Sequence, residues 1–168
     1  MSDPLDVKGL AAIQRALDTL PAKVEANIVR GGLRAAAKVI AEAAKQNAPL
    51  EDGDLRASIR VKTTLRGGKA SATVVAGGKG GKGRKGVYYA HMVEGGTAAH
   101  VIRARSGKSL GNLGVSKVEH PGARKRPFLR PAMESGAPAA VAAMREYIRQ
   151  RLARKHGLDV PAEPDDEA

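Results

Sequence analysis

Four groupings in this 168-residue chain have residue types capable of chemistry: a glycine-rich basic run, histidines near acids, several serines, and many cationic side chains. The run GGKGGKGRKG over residues 77–86 looks most like a phosphate cradle. A Walker A loop needs a glycine, four residues, then Gly-Lys-Ser/Thr, so that amides at a helix start surround a phosphate. No glycine here meets that spacing, and a strand-like segment follows, so the run reads as a basic loop without regular structure. His91, His100, His120, Glu94 and Glu119 are the candidate metal ligands. His91 and Glu94 are three apart, a spacing that suits a helix, whereas the alternation of residues 87–94 predicts a strand that sends them to opposite faces. His100 and His120 read as loop residues, and no metal site is expected. Ser58, Ser71, Ser106, Ser109 and Ser116 form no Gly-x-Ser-x-Gly elbow. Glu51, Asp52 and Asp54 read as a turn, and nothing pairs Glu94 with Glu119 for two-metal hydrolysis. With no cysteine, disulfides, thiolate zinc sites and cysteine nucleophiles are excluded. The chain is expected to be neither an enzyme nor a cofactor carrier.

The cationic side chains are the more informative set. Net charge is +12, and the five acids beyond His156 face no Lys or Arg there, so residues 1–156 alone carry +17. Such a field favours a polyanion or an acidic protein surface, and charge sign does not choose between them. Lys79, Lys82, Arg84, Lys85, Arg103, Arg105, Lys108, Arg124, Lys125 and Arg126 all fall on segments read as loops or their borders, where they suit partner or DNA contacts. Aromatics make up only 2% of residues, which argues against base stacking; Tyr88 and Tyr89 are adjacent and would point to different faces of a strand.

The elements that must position these residues follow from periodicity. Leu10, Ile13, Leu17 and Leu20 predict a short amphipathic helix over residues 9–20, stopped by Pro21. Val24, Ile28, Ala35, Val39 and Ala43 predict a long helix over residues 22–47, with Gly31-Gly32 marking a bend or a close backbone approach. Alternation predicts strands from residue 58, a hairpin turn at Arg66-Gly-Gly-Lys, a return strand over residues 70–76, a third strand over 87–94 and a short fourth over 100–105. Residues 106–127 read as loop. Val141, Met144, Ile148 and Leu152 predict a final helix over residues 130–155, distorted early by Gly136 to Pro138. The acidic residues 157–168 are expected to be disordered. The sum is one α+β domain over residues 1–156: a small antiparallel sheet against a long N-terminal helix and a C-terminal helix. Its core must be built from small aliphatic side chains, which suggests reliance on partner subunits for stability. No apolar run approaches the ~20 residues that span a bilayer, and the first residues lack signal-peptide order, so no membrane or export role is expected.

The order of local motifs carries more information than any one of them. Ala48-Pro49 is followed by Gly53-x-Leu55-Arg56-x-Ser58-Ile59; then come Tyr88-Tyr89, Val93-Glu94-x-Gly96-Thr97, His120-Pro121-Gly122 and Pro127-Phe128-Leu129-Arg130-Pro131-Ala132. Between residue 9 and about residue 152 this series resembles the small phage tail-component proteins typified by gene product ten of the lambdoid phage Hong Kong 97. Two departures stand out: Gly95 replaces the family's usual aromatic, and the basic stretches 79–85 and 103–117 are expanded. The resemblance implies a non-enzymatic virion protein of the tail or neck, made in the host bacterial cytoplasm, that completes the tail or joins it to the head. It further implies a homo-oligomer, a hexamer by analogy with sixfold tail tubes, in contact with other neck or tail proteins and with DNA in the lumen. The alternatives are a tail terminator capping the tube and, in another class, a sequence-nonspecific DNA-binding protein. Within this frame Phe128, bracketed by Pro127 and Pro131, is expected to anchor the last helix, Leu55 and Ile59 to pack inward, and Glu94 to end a strand and pair with Arg130 or Arg56.

Overall fold

A computed structural model describes residues 10–51, 53–78, 86–104 and 114–160. The elements run α1 (Leu10–Asp18), α2 (Ala22–Asn47), α3 (Asp54–Ser58), β1 (Arg60–Arg66), β2 (Lys69–Val75), α4 (Ala90–Gly95), β3 (His100–Arg103), β4 (Lys117–His120) and α5 (Leu129–His156). The fold is mixed α+β, with a long N-terminal and a long C-terminal helix as its sequence implies. Its strands form two separate antiparallel pairs, β1–β2 and β3–β4.

The β1–β2 hairpin follows directly from the sequence. Arg66 pairs with Lys69 across Gly67-Gly68, whose φ angles of 53° and 77° fit a two-residue turn with both central residues left-handed. Burial alternates strictly along β1, so Val61, Thr63 and Leu65 face inward. The two long helices pack along each other, and α2 also meets both strands of the hairpin. Because α2 is covered from more than one side, its most buried residues are Ile28, Gly32, Ala37, Ala41 and Ala44, while Ala35, Val39 and Ala43 of the expected stripe are half-buried.

Gly31 and Gly32 mark a close approach, but of side chains and not of a backbone. A Cβ on Gly32 would lie 2.9 Å from Ile148 Cγ1, and one on Gly31 would collide with the Tyr147 ring. Helix α2 continues through both glycines, and α5 continues through Gly136 and Pro138.

Two apolar clusters result. One joins Ala41, Ala44, Ala48, Leu55, Ile59, Val87, Ala90, Phe128 and Ala132, with Val61 and Val74 of the hairpin packed against it. The other joins Ile13 and Leu17 of α1 to Ile28, Ile148, Leu152 and Val160. Val160 corrects the expectation of a tail disordered from residue 157. Gly157, at φ 65°, ends α5 by donating its N–H to Ala153 O, and Leu158 donates to Leu152 O. The chain then turns back and is held by Arg149 Nε, which donates to Val160 O at 3.1 Å. Residues 161–168 of that tail lie outside the described residues.

Two further expectations are overturned. Residues 90–95 form a helical turn, with only Val87 bridging to Gly78, because Met92 and Val93 donate their N–H groups to Tyr89 O. Residues 117–120, expected in a loop, form β4 in register with β3.

Candidate interaction surface

The residue that organises this region is Glu94. Helix α5 begins at Leu129, and the side chain of its N-cap residue, Phe128, accepts no hydrogen bond. The amides at a helix start have no intrahelical acceptor and carry partial positive charge. Glu94 supplies the acceptor from 34 residues upstream: Oε2 accepts the Phe128 and Leu129 N–H groups at 2.8 and 2.9 Å, and Oε1 accepts that of Arg130 at 3.0 Å. The next residue is Pro131, which has no N–H to satisfy. Partial burial alone would raise the Glu94 pKa, but the three backbone bonds and the nearby Arg130 charge outweigh it and hold the carboxyl below its ordinary value.

The expected role for Glu94 is thereby corrected. It lies on a helix, and its hydrogen bonds go to backbone amides. The Arg130 guanidinium bridges to Glu134 at 3.3 Å, and Arg56 Nε is buried with no hydrogen-bond partner among the described residues. The i, i+3 relation of His91 to Glu94 is now helical, yet His91 is exposed while Glu94 turns to α5. Among the described residues no group of three or more His, Asp or Glu side chains could hold a metal ion.

The other motif residues hold the same frame. Gly53, at φ 75°, caps α3, which turns Leu55 and then Ile59 into the core. Ser58 Oγ accepts the Gly77 N–H at 2.9 Å, tying the end of α3 to the chain just beyond β2. Gly96, at φ 72°, ends α4 where a Cβ would stand 2.8 Å from Ala123 O. Thr97 then bridges to Ala123 in both directions, and Arg126 N–H donates to Val93 O at 2.8 Å. His120 Nδ1 accepts the Gly122 N–H at 3.0 Å, which fixes the turn at Pro121. Phe128 is completely buried beneath this linkage, while Pro127 stays exposed and Pro131 half-buried.

On that frame stands a projecting ribbon. Every residue of β3 is exposed, including Val101 and Ile102 at 44% and 37%. His100 and His120 pair across β3–β4, their ring centroids 5.0 Å apart. Between the ribbon, α4 and the turn after Pro49 runs a groove of about 640 Å³, lined by Leu55, Tyr88, Met92, Ile102, His120 and Arg126 among others. Tyr88 is 73% exposed and meets Tyr89 edge to face, with Tyr89 turned into the core cluster.

Of the ten candidate contact cations, the structure brings Arg103, Arg124, Lys125 and Arg126 onto this surface, all exposed. Among the described residues, Arg126 alone of these four has a carboxylate partner, Glu51 at 3.9 Å. Lys79, Lys82, Arg84, Lys85, Arg105 and Lys108 lie outside the described residues. Missed by sequence reasoning were β4, which creates the ribbon, and the capping role of Glu94. The one signal available for the latter was a helix start without a capping side chain of its own, which requires an acceptor from elsewhere in the chain.

The family model described as "Bacteriophage HK97-gp10, putative tail-component" matches residues 11–96. The chain belongs to this family. It is thus related to phage tail components, and the match runs from α1 to the glycine that ends α4. The 127–132 motif lies beyond the matched span, but Glu94 inside it binds the backbone of residues 128–130 directly, so the two segments form one structural unit. No curated protein and no solved structure matches the chain. No helix among the described residues is long and apolar enough to cross a membrane.

Proposed function

We propose that this tail-family protein is a structural morphogenesis component of a tailed phage or prophage, acting at the head–tail junction. In this reading residues 1–156 fold as one α+β domain, and copies of it form a tail-completion or joining ring, a hexamer matched to a sixfold tube. The β3–β4 ribbon carries the proposal. It is a short strand pair with no further strand beside it among the described residues, and its exposed Ile102 lines a groove that also contains Tyr88 and Met92, while Val101 is exposed on the other face. Open edges and contiguous apolar side chains are features that a neighbouring subunit covers. The exposed cations Arg103, Arg124, Lys125 and Arg126, with Lys79, Lys82, Arg84, Lys85, Arg105 and Lys108, then contact neck or tube proteins, or DNA in the lumen. The protein assembles in the host cytoplasm, ends in the virion neck, and catalyses no reaction.

Light scattering on the purified chain and on an Ile102→Asp variant tests this assembly. The wild type should have the mass of a closed ring. The variant, with aspartate on a partly covered strand position, should lose about 1 kcal/mol of stability and fall to a smaller species. Identical masses for the two proteins would remove the ribbon from the interface.

A further inference from the structure

A second cationic surface lies away from the predicted loops. Arg30, Arg34 and Lys38 occupy successive i, i+4 positions on α2, about 6 Å apart along the axis. Arg151 and Lys155 repeat that spacing on α5. The two rows line one groove of about 990 Å³ that also contains Tyr147 and the edge of Ile28. Gly31 leaves the space that the Tyr147 ring occupies against α2, since a Cβ there would meet that ring.

Among the described residues this charge is uncompensated, and none of those that line the groove is acidic. Among the described residues, ion pairs are made by Lys45, Lys117, Arg126, Arg130 and Arg149, and by none of the five groove cations. Arg30 donates to the neutral Asn27 Oδ1 at 3.1 Å, its one side-chain partner among the described residues. Like charges at i, i+4 on a helix are mutually destabilising, and facing rows add to that repulsion. A bound polyanion removes it.

We propose that the α2–α5 groove binds the sugar–phosphate backbone of duplex DNA without sequence selection. Its composition favours DNA over an acidic protein. Protein interface cores are depleted of charge and built on apolar or aromatic anchors, as on the ribbon groove. Here cations dominate and three of the five are arginines, whose guanidinium forks match phosphate oxygens. One tyrosine provides no stacking row for bases, so the groove engages the backbone only. The inference is independent of the neck assignment, since it rests on this groove alone.

Fluorescence anisotropy on the full chain, with short duplexes of two unrelated sequences from about 50 to 200 mM salt, tests it. Both duplexes should bind equally. The double variant Arg34→Gln/Arg151→Gln should flatten the log–log salt slope by about 1.8, at ~0.9 for each phosphate no longer neutralised, and weaken binding at least tenfold. Arg66→Gln/Lys69→Gln, at the exposed hairpin tip, removes equal charge and should leave the slope within about 1 of wild type. Arg34→Lys/Arg151→Lys should retain the wild-type slope, which separates a charge effect from a folding effect. Equal effects in both glutamine doubles, or an unchanged slope in the groove double, would overturn the proposal. So would preferential binding of an acidic peptide with the sequence of residues 159–168, since the groove would then be a protein site.

Discussion

Replacing Glu94 tests the link between the matched family segment and the last helix. Glu94→Ala leaves three amides without their acceptor, two of them half-buried and one exposed. At about 1 kcal/mol for each half-buried bond, with water replacing the exposed one, and ~0.3–1 kcal/mol for the charge removed from a helix start, the cost is about 2–3 kcal/mol. Glu94→Gln keeps one carbonyl oxygen and should cost about 1 kcal/mol. For a chain of this size each kcal/mol moves the melting temperature by about 2–4 °C, so the alanine variant should melt roughly 5–10 °C lower. The pH dependence has a definite sign. The folded carboxyl titrates below its ordinary value of 4.5, so its stabilisation is fully present above that value and is lost as pH falls through the lower, folded one. Thermal melts followed by circular dichroism, at fixed protein concentration, should show a wild-type to Gln gap that is constant near pH 7 and closes as the pH falls below the ordinary carboxylate range. A gap that is absent, or that persists unchanged in acid, would show that Glu94 does not cap α5 as a carboxylate.

Two other substitutions probe packing. Phe128→Ala empties the site of the largest fully buried side chain and should cost about 3–5 kcal/mol, read from the urea midpoint. An unchanged midpoint would mean that α5 is anchored elsewhere. Gly32→Ala gains roughly 1 kcal/mol of helix propensity but forces a Cβ against buried Ile148, an overpacking that costs about 1–3 kcal/mol. A net loss of stability is expected, and a higher melting temperature would show that α5 shifts freely to make room.

The sequence exposed those parts of the fold whose causes are local. The β1–β2 hairpin rests on Gly67-Gly68 and strict alternation, and α1, α2 and α5 rest on apolar periodicity that Pro21 and Pro49 punctuate. What escaped was set by tertiary partners. Residues 87–94 alternate well enough to read as a strand, and six helical residues are too few for their own period to dominate. Their conformation instead brings Glu94 to the amides of residues 128–130. Lys117–His120 is a four-residue strand of mixed charge whose identity comes from β3, its partner, since strand preference depends on what the strand packs against. At the candidate surface, the exposed linker cations were evident from composition, but the ribbon that carries Ile102 was not. The α2–α5 groove was hidden for a similar reason: its two cationic rows are over a hundred residues apart in the chain and meet only when the helices pack.

A structural role in joining heads to tails is tested most directly by electron microscopy of particles from a phage or induced prophage lacking this gene. The expected outcome is DNA-filled heads and separate tails of normal length, rejoined when the wild-type chain is supplied. Intact infectious particles would contradict that role. So would tails of uncontrolled length, the mark of a missing terminator, or heads that fail to fill with DNA.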